Sequence, residues 1–484
     1  MDLNEHIRKT KIIATVGPAS DSLETIKAMI QAGMNVARLN LSHGTFLAHR
    51  DRLRRIRQAA ESLNANIAIM IDTRGIEIRT GLLEGGSVEL TIGDRFSLFT
   101  DDRPGNPDGV SISYSKLPAE VSVKTPILLD DGSIELTVAA THKDRIDCRV
   151  IIGGRLGESK SLNLPETELS LRAVSPENRE DVIQEMNFAA ENEVDYIAAS
   201  FVQHADDVNL LREILEEHDV KIPIIAKIEN RAGVNNLEGI VSAADGIMVA
   251  RGDLGVELPL ADVPGTQKRI IRMTVTNGKP VITATQMLES MLKNPKPTRA
   301  EASDVANAIL DGSSAIMLSG ETAAGNHPVK AVQTMSDIAL RAESYLSEYG
   351  YLQIISPNPA NIITEAVSQA ATTMAKNLGS AAIFSLTERG FTPRMISKHR
   401  PSCPIIAITS SKTVARRLAL NWGVIPICYE GVKEDDAKLS FGLERCKQLG
   451  YLKPGDVVIS TAGVHQQAGG TDSIRVIMIE ADNK

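Results

Sequence analysis

Short runs of β-branched and other apolar residues alternate along the chain with longer stretches whose apolar positions recur at helical spacing. The first three runs are Ile12 to Val16, Asn35 to Asn40 and Ile67 to Asp72. After a gap the alternation resumes with Tyr196 to Phe201, Ile222 to Glu229, Gly246 to Arg251, Pro280 to Thr285 and Ala315 to Ser319. Eight strand-like runs, each followed by an amphipathic stretch, predict parallel pairing and a closed (β/α)8 TIM barrel of the α/β class. Helix candidates include Asp21 to Ala32, with Ser20 as cap, and Thr298 to Leu310, closing at Asp311-Gly312.

Between about Arg79 and Arg172 the pattern changes to short alternating runs punctuated by Gly85-Gly86, Asp131-Gly132 and Gly153-Gly154. This predicts a small β-barrel-like domain, 79–172, inserted after the third barrel strand. Removing it leaves 1–78 and 173–346, close to the roughly 250 residues of one barrel. Loops that follow barrel strands open on the catalytic face, so an insertion there is placed to act as a lid. From Glu348 to Asn361 the pattern is irregular and contains two prolines, and a further α/β pattern follows. Helices are expected at Ile363 to Leu378, Thr413 to Trp422 and Glu434 to Gly450. Strands are expected at Ala381 to Ser385, Ile405 to Thr409, Ile425 to Tyr429, Val457 to Ser460 and Ile474 to Ile479. Residues 347–484 thus read as a C-terminal α/β domain.

Composition narrows the function classes. The 484 residues carry 52 Lys+Arg against 61 Asp+Glu, a net charge of −9, which argues against a broad electrostatic grip on nucleic acid or acidic membranes. With 3% aromatic residues and one Trp, base-stacking platforms are not expected either. Cys148, Cys403, Cys428 and Cys446 lie far apart and read as reduced, buried thiols. The first eleven residues lack an apolar signal core, and no run approaches the roughly 18 apolar residues of a membrane span. A soluble cytoplasmic protein is expected.

The candidate chemistry gathers at strand ends. Lys227 and Glu229 lie two apart, so they face one side of the fifth strand. Taken alone the pair reads equally as a salt bridge in the barrel wall. The sixth strand brings Arg251-Gly252-Asp253 to the same face, and two carboxylates with room for water and substrate oxygens suit Mg2+ or Mn2+. The second strand offers Arg38, Asn40 and Ser42, and the third ends in Asp72-Thr73: oxygen donors beside a guanidinium, able to hold a cation and an anion together. Thr285 ends the seventh strand; Ser319, Glu321 and Thr322 end the eighth. His43 and His204 form no metal-ligand pair, and Arg50 to Arg57 reads as a solvated helix face.

The segments TKIIATVGPAS, GMNVARLNLSHG, AASFV, AKIEN, DGIMVARGDLGVELP, KPVITATQMLESM and NPKPTRAEASDVANAILDGSSAIMLSGETA, with the C-terminal α/β segment, resemble the pyruvate kinase family in the family's own order. The resemblance covers nearly the whole chain. It implies a phosphotransferase that moves the phosphoryl group of phosphoenolpyruvate to ADP, giving ATP and pyruvate, the last step of glycolysis. By similarity Glu229 and Asp253 hold the divalent ion. Lys227 neutralises the phosphoryl group and the enolate, while Arg38 and Arg79 meet phosphates, with Asn40 and Arg79 toward the nucleotide. Gly252, Asp253 and Thr285 form the substrate cradle, and Thr285 and Ser319 stand on the path of the proton. Asn40, Ser42, Asp72 and Thr73 match the family's K+ site, and Glu77 implies K+ dependence. Ser385, Thr387, Arg389, Gly390 and Thr392, ahead of Pro393, resemble the family's loop for a phosphorylated allosteric effector, with Glu388 as an added negative charge. The loop reads equally as an ordinary strand-to-helix turn. A homotetramer is implied.

The chain departs from the family's pattern at Arg74 and Ile76, where Lys and the hinge Pro are usual, and at Glu177, where a Lys near the nucleotide phosphates is usual. Arg172 and Arg179 are candidates to compensate. Two other readings stay open: another metal-dependent barrel enzyme of a pyruvate enolate, or a catalytically weak homologue that binds metabolites as a regulator.

Overall fold

The computed structural model describes residues 7–165, 167, 169–175, 178–350, 362–432, 434–463 and 470–481. Eight parallel strands close a barrel: Lys11–Thr15, Val36–Asn40, Ala68–Asp72, Tyr196–Ala199, Ile224–Ile228, Gly246–Ala250, Val281–Ala284 and Ala315–Leu318. Each pairs with its neighbours in chain order, and the first returns to the eighth, Lys11 opposite Ala315. Both faces of such a sheet are covered, which is why runs such as AIMID and GIMVA are apolar and buried throughout. Ile13, Val36, Met70, Ile225, Met248 and Met317 fill the inside, while the opposite faces of the strands join the helices in the main core.

All eight strands stand where the hydrophobic pattern puts them, but several stop sooner. Glu229, Arg251, Thr285 and Ser319 lie just beyond the last paired residue, because their backbones turn out of the ladder at the barrel mouth. The first helix, Leu23–Ala32, begins later than expected and is capped by Ser22, whose side chain accepts from Thr25 N. Ser20 is occupied elsewhere: its hydroxyl accepts from Gly17 N at 3.2 Å. Thr298 caps Arg299–Leu310 in a reciprocal capping box with Glu301. The arginine-rich helix Phe46–Ser62 is not simply a solvated face: Arg57 grips the fully buried Asp195 at 2.8 Å and the carbonyl of Ile67 at 3.0 Å. The irregular stretch begins later than Glu348, since Leu346–Tyr349 is helical; 351–361 lie outside the described residues.

Between the third and fourth barrel strands the chain forms a seven-stranded sheet and a two-stranded ribbon, with strands from Ile78–Arg79 to Ser161–Asn163 around a separate apolar core. After the barrel, Val424–Cys428, Ile405–Thr409, Ala382–Leu386, Val457–Ala462 and Ser473–Met478 form a five-stranded sheet in that order, the last strand antiparallel. This unit packs on the N-terminal end of the barrel, opposite the mouth. Leu420 enters the barrel's interior cluster, Arg416 pairs with Asp195 at 2.8 Å, and Tyr196 donates to the carbonyl of Arg417 at 2.6 Å. The four cysteines are free; Cys428 is half-buried and the other three are buried.

Candidate active site

A cavity of about 900 Å3 opens at the barrel mouth beneath the inserted sheet. Gly252, Asp253, Thr285 and Ser319 line it from the barrel, and Asp130, Lys160 and Asn163 from the insertion. Asn163 Nδ2 donates to Glu257 Oε1 at 3.1 Å, joining the inserted sheet to the short helix Arg251–Glu257 that carries Asp253.

Strand alternation sends Lys227 and Glu229 to one face of the fifth strand, and closure of the barrel supplies the rest. Lys227 Nζ lies 2.7 Å from Glu229 Oε1, 3.0 Å from Asp72 Oδ1 and 2.8 Å from Ser200 Oγ. Burial opposes the charge of Lys227, but Asp72 and Glu229 more than offset it and hold its pKa above the ordinary lysine value. Asp72 receives Arg38 Nε at 2.7 Å on its other oxygen, and Arg38 Nη1 reaches Thr15 Oγ1 at 3.0 Å. Burial favours the neutral form of Asp72; the two cations outweigh it and keep the carboxyl below its usual value. The salt-bridge reading of Lys227 is therefore true as geometry, and the bridge extends over three strands.

Asp253 stands differently. Burial and then the neighbouring Glu229 push its pKa up to about 7. Two acids close together with incomplete neutralisation form a donor set suited to a divalent cation. Among the described residues no trio of His, Cys, Asp or Glu forms a cage, and two carboxylates with added water and substrate oxygens is the arrangement that Mg2+ favours.

The seventh strand ends in a turn where Thr285 (φ 68°) and Gln286 (φ 53°) are both left-handed, a costly conformation for side-chain-bearing residues and one concentrated at functional sites. Arg251 holds this turn, with Nη2 on the carbonyl of Thr285 at 2.8 Å and Nη1 on Asp304 at 2.8 Å. Thr285 Oγ1 accepts from Gly252 N at 2.7 Å, so the expected cradle is closed on itself by an internal hydrogen bond. Ser319 Oγ is buried without a partner among the described residues, on a residue that lines the cavity.

Asn40 and Asp72 are register partners on adjacent strands. Asn40 Oδ1 accepts from Ser42 N at 3.2 Å and Thr73 Oγ1 from Ser200 N at 3.0 Å. Arg79 lies in the inserted sheet, donates to Ser159 O at 2.8 Å and pairs with Glu77. Arg172 is engaged by Asp207 at 3.1 Å, and Glu177 lies outside the described residues. Far from this mouth, Ser385 Oγ is buried without a partner among the described residues, Thr387 Oγ1 accepts from Gly390 N at 2.9 Å, Thr392 shares a hydrogen bond with Thr471, and Arg389 is exposed. Glu388 is paired with the buried Lys438 and accepts from Ser410 Oγ at 3.2 Å, so its charge is met within the fold.

Arg251, read from the sequence only as part of a strand end, holds the Thr285 turn. Two residues, Ser200 and Thr15, escaped the sequence reading; they position Lys227 and Arg38. Their position at a strand end was the available signal, but Ser and Thr are common in turns and carry little information singly.

The pyruvate kinase barrel-domain family model matches residues 7–332, and the pyruvate kinase alpha/beta-domain model matches 365–477. The chain belongs to the pyruvate kinase family. It is 46% identical over 476 residues to the pyruvate kinase of Bacillus licheniformis, covering 98% of this chain and 81% of the relative. It is 47% identical over 476 residues to that of Geobacillus stearothermophilus, covering 98% and 80%. A solved structure of a pyruvate kinase from Cryptosporidium parvum superposes with a TM-score of 0.91 at 39% identity, over 99% of this chain and 97% of the other. The activity is that of a phosphotransferase acting between phosphoenolpyruvate and ADP, and none of these matches supports the two alternative readings. No helix among the described residues is long and apolar enough to cross a membrane.

Proposed function

We propose that Lys227 is the electrostatic centre of phosphoryl transfer and that the strand-end residues around it bind the two substrates. The carrying observation is an ammonium held charged by Asp72 and Glu229, hydrogen-bonded to Ser200 and beside Asp253. Phosphoryl transfer asks a protein mainly to position groups and stabilise charge, and no nucleophilic side chain is needed. Arg38, pinned by Asp72 and Thr15, presents its guanidinium to phosphate oxygens. The cradle of Gly252, Asp253 and Thr285 takes the substrate carboxylate, which replaces the hydrogen bond between Gly252 N and Thr285 Oγ1. Thr285 and the unpartnered Ser319 hydroxyl lie on the route by which a proton reaches the enolate carbon.

Glu229 and Asp253 would hold Mg2+ or Mn2+; bound there, the ion supplies positive charge against the developing enolate oxygen. Asn40, Ser42, Asp72 and Thr73 offer oxygen donors for K+, with Glu77 as nearby acid. Asn40 and Arg79 face the nucleotide phosphates, which requires Arg79 to exchange Glu77 for substrate. Ser385, Thr387, Arg389, Gly390 and Thr392 form the candidate effector-phosphate loop; the support for it is the Ser385 hydroxyl, buried with no partner among the described residues. The exposed Val476 and Met478 on the outer strand Ser473–Met478 support self-association, with a homotetramer as the family's arrangement.

The test is pyruvate formation from phosphoenolpyruvate and ADP with Mg2+, with and without K+, for the wild type and Lys227→Met. Turnover stimulated by K+ and reduced about 10^2–10^3-fold or more in the variant is expected. Unchanged turnover in a folded variant would reject the role of Lys227.

A further inference from the structure

A second, small crevice lies at the seam between the N-terminal end of the barrel and the C-terminal unit. It is lined by Lys279, Ser314, Arg394, Lys398, Arg400 and Asn421, among others, and no carboxylate among the described residues lines it. Two of the four cations have their partners. Lys398 is buried against Glu365, and Lys279 Nζ donates to the carbonyls of Val241, Ser242 and Ala244 at 2.6, 2.8 and 2.6 Å. The two guanidiniums are incompletely met. Arg400 Nη2 reaches the carbonyl of Gly312 at 2.5 Å, but its Nε and Nη1, and Arg394 Nε, are buried with no acceptor among the described residues.

Arg400 is placed with some effort. Its backbone is left-handed (φ 50°), and its guanidinium lies 4.7 Å over the ring of Trp422. Burial pushes its pKa down to about 9 against a partial pull from Glu343. Glu343 is committed elsewhere, to the backbone N–H groups of Lys9 and Thr10. An arginine does not escape by losing its proton, so the buried charge calls for an anion. Water could accept the free hydrogen bonds but would leave that charge unbalanced.

We propose that this seam binds a small monatomic anion, of chloride size, against Arg400 Nε and Nη1, and that the anion helps fasten the C-terminal unit to the barrel. The size follows from the space: about 10 Å3, room for roughly one water-sized particle and too little for sulfate or phosphate. The test uses the full chain in potassium gluconate at fixed ionic strength, with gluconate replaced stepwise by chloride, bromide or sulfate while melting is followed. Chloride and bromide should raise the wild-type Tm saturably by about 2–4 °C, sulfate should not, and Arg400→Gln should abolish the response. Crystals grown in bromide should show an anomalous peak beside Arg400 Nη1. A response that is flat, matched by sulfate or retained in Arg400→Gln would overturn the proposal, as would the absence of the bromide peak. Should Arg400→Gln not fold, the wild-type bromide peak decides.

Discussion

At the residue scale, the site depends on charges that are buried yet paired. Removing one partner of such a set leaves the others uncompensated, so single substitutions there act on several groups at once. Glu185 illustrates the neighbouring case of an acid with too little compensation. It is buried, accepts from Arg74 N at 3.0 Å and has the Arg74 guanidinium only at 3.7 Å. Burial raises its pKa to about 7, against an ordinary value of 4.5. Between those values the folded state binds the proton and the unfolded state does not, so this group's contribution to stability falls as pH rises from about 4.5 through 7. Glu185→Gln is expected to flatten that part of the stability-pH curve and to be the more stable form at pH 8. Parallel curves for the two proteins in denaturant titrations would refute the assignment.

At the element scale, the strands give rigidity and the turns after them give chemistry. The turn after the seventh strand is the strained one, and it keeps its shape because Arg251 bonds to it while Asp304 holds Arg251. Asp304→Asn keeps the size and removes the charge, so the turn should loosen without unfolding the barrel. The expected result is a KM for phosphoenolpyruvate raised on the order of tenfold, since small misplacements of positioning groups are costly. An unchanged KM alongside an unchanged Tm would show that the Asp304 anchor is dispensable. Strand alternation made Lys227 and Glu229 legible as a pair, because two residues apart on a strand is a local rule. Ser200 was not legible, because its value lies in touching Lys227, Asp72 and Thr73 from another strand. The same limit misplaced the first helix cap: Ser20 and Ser22 are equivalent as types, and the competing Gly17 amide settled which one was free.

At the scale of the whole molecule, the C-terminal unit is part of the barrel's packing. Leu420 is fully buried within the interior cluster that also contains Met70, Met248 and Met317. Leu420→Ala should therefore cost about 2–5 kcal/mol and lower the melting temperature, with the cavity at the barrel's lower end as the cause. A melting temperature equal to wild type would mean that the barrel's lower end closes without it. The sequence by itself determined the eight strands and their order, the inserted β segment, the C-terminal α/β pattern and the residue types at the strand ends. Those follow from local periodicity and from short motifs, which chain neighbours specify. Only the tertiary structure decided that Lys227 meets Asp72, 155 positions away, that Arg251 holds the Thr285 turn, and that Leu420 fills the barrel's lower end. Each depends on closure of the barrel and docking of a later segment against it, and pairings made by closure leave no periodic trace in the chain.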